Sequence, residues 1–272
     1  MLPLPSQPAH AVRPLRHWKT LPAEQAAALI GAGSTVAVSW LGDSLAGAVQ
    51  AAFRQQRTPR DLTIVYGTAH GHGRTHGLNL LAEEGLVRRV IGGQWHPVPG
   101  LHALAVANRI EAYSLPVGII NRLFRDIAAG VTGHLSRSGI GTFADPRHGG
   151  GRLNLTTQED LVRLVHAAGQ EALLFRTFPI DVALVGVGFL EDSAEMVMTR
   201  DAMTMARAAH KGGGLVIAQI NRVGTLRKLP IGQVVVADTL VDVLVATDGH
   251  DRAGNVFATA LAPRTNIWPQ RA

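Results

Sequence analysis

Residues 31–54 read Gly-Ala-Gly-Ser-Thr-Val-Ala-Val-Ser-Trp-Leu-Gly-Asp-Ser-Leu-Ala-Gly-Ala-Val-Gln-Ala-Ala-Phe-Arg. A glycine turn at 31–33 precedes the short apolar run 35–38, which is strand-like. The turn Ser39-Trp40-Leu41-Gly42-Asp43-Ser44 then leads into residues 45–54, where Leu45, Val49 and Ala52/Phe53 share one helical face. Strand, turn and helix recur along the chain. Strands are expected at 62–66, 87–91, 111–114, 182–187, 215–220 and 241–246. Helices are expected at 77–84, 102–108, 118–129 and 203–209. This alternation predicts an α/β fold built on an open, mostly parallel sheet flanked by helices.

The chain has 272 residues, 46% hydrophobic and 17% charged, which is enough for a sizeable core and too apolar for a disordered tail. Residues 1–24 read as an N-terminal arm and 25–272 as one domain. Residues 139–154 form the longest irregular stretch, either an excursion from the sheet or a small subdomain. Cysteine is absent, which excludes a disulfide scaffold, thiol catalysis and thiolate zinc sites, and fits a reducing cytoplasm. The arm lacks the continuous apolar stretch of a secretory signal. The longest apolar runs fall far short of the ~18 residues of a membrane span, so no membrane association is expected.

The net charge is +6, and Lys19, Lys211 and Lys228 are the only lysines. With 5% aromatic residues and no long basic run, the chain lacks the interleaved pattern of a nucleic-acid reader. An arginine-rich surface suits anionic small molecules, and equally a solvated face.

Ligands of open α/β sheets sit beyond the carboxyl ends of the strands, so the loops there hold the candidate residues. The 39–44 turn reads as an anion-binding helix start or as an ordinary cap by Asp43 or Ser44. It is neither a phosphate-binding Gly-Lys-Ser/Thr loop nor a Gly-x-Gly-x-x-Gly fingerprint. His70, His72 and His76 lie in a glycine-rich loop, but their loose spacing makes no defined ligand set, and no metal is expected. Gly92-Gly93-Gln94-Trp95-His96 pairs glycines, which permit close backbone approach, with an amide, an indole and an imidazole. His96 is the candidate proton carrier there, or a hydrogen-bonded structural histidine. Leu115-Pro116-Val117-Gly118 is another strand-to-helix turn, and 139–147 gathers Gly141, Thr142, Asp145 and Arg147. No Gly-x-Ser-x-Gly elbow is present.

Several stretches carry a family pattern: 77–93 with its Glu83-Glu84-Gly85-Leu86-Val87-Arg88-Arg89-Val90-Ile91-Gly92-Gly93, then Asn108-Arg109-Ile110-Glu111-Ala112-Tyr113. Phe124-Arg125-Asp126-Ile127-Ala128-Ala129-Gly130, Gly139-Ile140-Gly141-Thr142-Phe143-Ala144-Asp145-Pro146-Arg147-His148-Gly149-Gly150 and Pro179-Ile180-Asp181-Val182-Ala183-Leu184 continue it. In this order they resemble the N-terminal (α) half of the family I CoA-transferases, closest to the acetate/acetoacetyl and propionate group. The resemblance covers roughly residues 25–246.

The resemblance implies two homologous α/β halves, fused or separate, with the active site between them. It implies a glutamate nucleophile on the C-terminal (β) half and a glutamyl-CoA thioester in a ping-pong cycle. Coenzyme A thioester is then a substrate, no bound cofactor is expected, and this chain, ending at Ala272, is expected to act with a separate β-type subunit as a heterodimer or heterotetramer. Ser39, Gly93, Val117, Gly118, Gly141 and Thr142 are the expected substrate-binding positions, with Gln94 and His96 as catalytic candidates.

Two departures stand out. The family's Pro-Gln-Gly, whose glutamine amide helps form the oxyanion hole, is Pro116-Val117-Gly118 here. The Asp-x-x-Gly-Asn expected near 187–200 is absent. Three readings follow: a transferase whose oxyanion hole is repaired by Gln94 or His96, a divergent enzyme of thioester hydrolysis or C–C cleavage, or a non-catalytic partner of the β subunit.

Overall fold

The computed structural model describes residues 18–68, 75–190, 196–224 and 232–245. Along the chain run β1 (Lys19–Leu21), α1 (Ala23–Ala27), β2 (Thr35–Val38), α2 (Asp43–Gln56), β3 (Leu62–Tyr66) and β4 (Val87–Gly92). Then come α3 (Pro99–Val106), β5 (Glu111–Ser114), α4 (Val117–Ala129), β6 (Gly133–Ser136), β7 (Val162–Ala167) and β8 (Gln170–Arg176). β9 (Val182–Leu190), β10 (Met196–Thr199), α5 (Arg200–Lys211), β11 (Leu215–Gly224), β12 (Gln233–Val236) and β13 (Val243–Val245) complete the order.

The main sheet runs β1-β13-β11-β9-β2-β3-β4-β5, with every neighbouring pair parallel. β10 and β12 extend it antiparallel beside β9. A parallel sheet covered on both faces needs strands apolar throughout, and all five residues of β3 are buried. Alternate side chains feed two cores. Val36, Val38, Ile64, Tyr66 and Val90 pack with α1, α2 and α3, while Ala37, Val65 and Ile91 pack with α4 and α5.

The open, mostly parallel α/β sheet is the expected fold, with local differences. Residues 19–21, read as part of an arm, form the edge strand β1 beside β13. The arm's residues 1–17, and His70 and His72, lie outside the described residues. α3 starts at Pro99, three residues before the expected start, because a proline with preset φ suits the first helical position. α5 starts at Arg200, where the Thr199 hydroxyl accepts the Ala202 amide at 3.1 Å. The irregular stretch 139–154 adjoins a second, antiparallel sheet, β6-β8-β7, that periodicity did not reveal. Its Leu173, Phe175 and Val162 pack into the α4–α5 core.

Candidate functional site

Strand order reverses at β2: the chain moves outward through β3, β4 and β5, then returns on the other side with β9, β11 and β13. Such a reversal leaves a crevice beyond the carboxyl ends of the strands. The Ser39 amide donates to the Leu184 carbonyl of β9 at 3.1 Å, which fixes Ser39 at the reversal. Its hydroxyl is buried with no hydrogen-bond partner among the described residues.

The turn from β2 to α2 is held from across the sheet. Gln219 of β11, buried to 1% exposure, accepts the Gly42 amide at 3.0 Å and donates to Ser44 Oγ at 2.8 Å. The expected cap by Asp43 or Ser44 is not formed, because Gly42 is the N-cap and no side chain caps it. Asp43 instead accepts the Gly77 amide on Oδ1 at 2.8 Å and meets His76 Nδ1 with Oδ2 at 2.6 Å. Among the described residues, no group of three or more His, Asp or Glu is placed to hold a metal.

The next three strand ends meet closely. A Cβ at Gly93 would fall inside the van der Waals envelope of the Gly67 carbonyl oxygen and 2.7 Å from Val117 Cγ2. A Cβ at Gly67 would lie 2.7 Å from Asn121 Oδ1 and 3.6 Å from Val117 Cγ1. Glycine at both positions therefore lets the ends of β3 and β4 close on the first turn of α4. Beneath them, a Cβ at Gly92 would lie 2.6 Å from the Tyr66 hydroxyl. That hydroxyl is buried and has no partner among the described residues, and burial pushes its pKa well above the ordinary phenol value. Trp95 Nε1 donates to the Tyr113 carbonyl at 3.3 Å, tying the Gly93 loop to β5.

The structure thus brings Gly93 and Val117 together, with Ser39 at the neighbouring strand end and Gly118 in the first turn of α4. Gln94 is half-buried and His96 exposed in the loop that leaves Gly93. Gly141 and Thr142 are exposed in a different loop. Their bonds stay local: the Gly141 amide donates to Asp145 Oδ2 at 2.9 Å, and Thr142 Oγ1 donates to the Gly139 carbonyl at 2.8 Å. The base of that loop reaches the main sheet, where the Ser114 amide donates to the Gly151 carbonyl at 2.7 Å, and Arg147 reaches Glu171 of β8 at 3.2 Å. Asp145 is solvent-inaccessible, and the Arg147 guanidinium and the Gly141 amide hold its carboxyl well below the usual range.

Sequence reasoning missed Gly67, Asn121 and the Asp43–His76 pair. Gly67 had a signal, since it follows strand β3 directly. Asn121 had a weaker one, a polar residue one helical turn after Val117. The Asp43–His76 pairing spans 33 positions and had none. Chemically, the crevice offers backbone donors. No side chain caps α4, and the first amides of a helix lack intrahelical acceptors. Such amides favour a negative oxygen, whether an anion or a polarised carbonyl. Val117 adds a hydrocarbon wall and no donor.

No family model matches the chain. It is 34% identical over 233 residues to the acetate CoA-transferase YdiF of Escherichia coli K12, covering 83% of this chain and 43% of that protein. It is also 34% identical over 241 residues to the caffeate CoA-transferase of Acetobacterium woodii, covering 85% and 46%. Among solved structures, the acyl-CoA transferase YdiF from Escherichia coli O157:H7, as a thioester complex with CoA, superposes with a TM-score of 0.74. The identity there is 33%, over 85% of this chain and 47% of that one. The chain spans less than half the length of the curated relatives it matches. On its strand order, its crevice and these matches, the chain belongs to the family I CoA-transferases.

Proposed function

We propose that this chain is the α-type part of an enzyme that moves CoA between an acyl-CoA and a carboxylate. The glutamate nucleophile comes from a β-type half, and the reacting carbonyl lies in the crevice between the two. Exchange of a thiolate for a carboxylate at a carbonyl passes through tetrahedral centres that carry a negative oxygen. In this reading, the Val117 and Gly118 amides at the first turn of α4 face that oxygen, while the Gly93 amide is held by the Tyr66 carbonyl at 3.0 Å. The observation that carries the reading is the closure of Gly67 and Gly93 onto Val117 at the carboxyl edge of the sheet. That closure sits on a fold related at 33% identity to an acyl-CoA transferase captured with CoA.

A second reading, repurposed acyl chemistry such as thioester hydrolysis, is favoured by Val117, which presents only methyl groups where the family's glutamine would present an amide. Loss of one oxyanion donor costs a rate factor of about 10²–10³. The test combines the chain with a β-type half and follows exchange of isotopically labelled acetate into acetyl-CoA. Exchange that rises in Val117→Gln and survives His96→Ala supports transfer. Release of free CoA without exchange, lost in His96→Ala, supports hydrolysis.

A further inference from the structure

A cleft of about 830 Å³ runs between α4 and α5, with Leu240 also in its lining. α5 supplies Arg200, Thr204, Arg207 and Lys211, at spacings of four, three and four residues, so they form one stripe along the helix. Arg125 faces the stripe from α4, about two turns beyond Val117. Among the described residues, none of these four cations is paired with a carboxylate. The cleft's histidine, His210, is engaged by Asp242 at 2.9 Å. Its carboxylate, Asp201, accepts Asn121 Nδ2 at 3.2 Å.

Helix stability accounts for Lys211, which ends α5 where a cation complements the dipole, but not for the rest of the arrangement. Arg200 is the first residue of α5, where a cation opposes the helix dipole. Arg207 and Lys211 are like charges four residues apart, which destabilises a helix. The Lys211 Cε lies 3.0 Å from where a Cβ would stand on Gly130, so its side chain lies across the end of α4. Ala128, Ala129, Met203 and Leu240 give the cleft apolar surface beside the charges. A volume in the upper part of the range for small-molecule sites, with four exposed cations against the single carboxylate of Asp201 and with apolar walls, matches an organic polyphosphate of nucleotide size.

We infer that the α4–α5 cleft binds the polyphosphate of a nucleotide-like ligand through Arg125, Arg200, Arg207 and Lys211. The inference does not depend on the proposed reaction. Two sources share this chemistry, the nucleotide end of an acyl-CoA and a free nucleotide. The Asn121–Asp201 bond joins the mouth of the cleft to Gly67, so a bound ligand lies next to the candidate site.

The test is calorimetric titration of the full chain with sodium tripolyphosphate and with ATP. Both are expected to bind, Arg125→Ala is expected to weaken them about tenfold or more, and Arg207→Glu to remove binding at about millimolar ligand. Arg163→Glu, on the exposed face of β7, is the control and is expected to bind normally. Amine-reactive labelling of the unaltered chain, read by mass spectrometry, gives a second measurement independent of variant folding. Tripolyphosphate is expected to protect Lys211 and leave Lys19 unchanged. Competition by CoA assigns the site to the thioester's nucleotide end, and binding of ATP without such competition assigns it to a separate nucleotide. Absence of both binding heat and Lys211 protection overturns the inference, as does equal binding by the two cleft variants and the unaltered chain. The isotherm is read without the exchange assay, so failure of the proposed reaction leaves it intact.

Discussion

Replacing Gly93 with alanine tests the packing at the strand ends. The added Cβ would press on the Gly67 carbonyl oxygen and stand 2.7 Å from Val117 Cγ2. The first neighbour is backbone and cannot rotate aside, so the cost belongs at the upper end of the overpacking range, about 3 kcal/mol. Alanine also reduces the freedom of the unfolded chain, which returns about 0.4–1 kcal/mol. The net expectation is a loss of about 2 kcal/mol, a fall in Tm of roughly 4–8 °C for a domain of this size. Gly67→Ala is the comparison. Its Cβ meets Asn121 Oδ1 at 2.7 Å, the far end of a side chain that can turn. Its cost is therefore small and is largely offset by the same entropic gain, leaving a net change near zero, within about 0.5 kcal/mol. Urea unfolding followed by tryptophan fluorescence, with calorimetric Tm values, measures both. Adding Val117→Ala to Gly93→Ala should recover part of the loss, because only the contact with Cγ2 is relieved. A Gly93→Ala chain as stable as the parent, or a Gly67→Ala chain equally damaged, would refute the reasoning.

Gln219→Leu leaves the buried Gly42 amide without its acceptor, and a loss of about 1–3 kcal/mol is expected. Hydrogen exchange should show the first turn of α2 fraying first. Asp145→Asn removes the charge that Arg147 and the Gly141 amide both bind, so protease cleavage within residues 139–152 should quicken. Asp145 has a depressed folded pKa, so its contribution is intact above the unfolded value of about 4 and is lost as pH falls through the folded value. Cleavage of the parent loop should accordingly stay flat from neutral pH to about 4 and rise only below it. His96→Ala, at an exposed position, should change stability by less than about 0.5 kcal/mol in urea unfolding.

The parallel sheet was legible because each central strand is an apolar run that needs no partner to be recognised, Leu62–Tyr66 being the plainest. Elements made by pairing were not. β1 has one half-buried residue among three and forms because it lies beside Val243–Val245. Gly133–Ser136 has no fully buried residue, and its sheet appears only once β8 supplies the hydrogen bonds. β9 and β11 extend past their expected ends because they pair with each other, through a register shift between Ile220 and Arg222. At the site, glycines after strands pointed to Gly93, and the turn before α4 pointed to Val117. What sequence order concealed was distance. Gly141 and Thr142 look equivalent to Gly93 on paper, but Asp145 folds their loop onto itself. Gln219, which holds the α2 start, stands 177 positions from the amide it accepts.

The central claim, that this chain completes an acyl-transfer crevice with a β-type half, is tested most directly by mass spectrometry of the two together after incubation with acetyl-CoA. The expected result is a CoA-sized mass increase on a glutamate of the β-type half. It should appear only when this chain is present, be discharged by a carboxylate, and be diminished by Gly93→Ala. A stable complex that forms no adduct across a broad acyl-CoA panel would contradict the account.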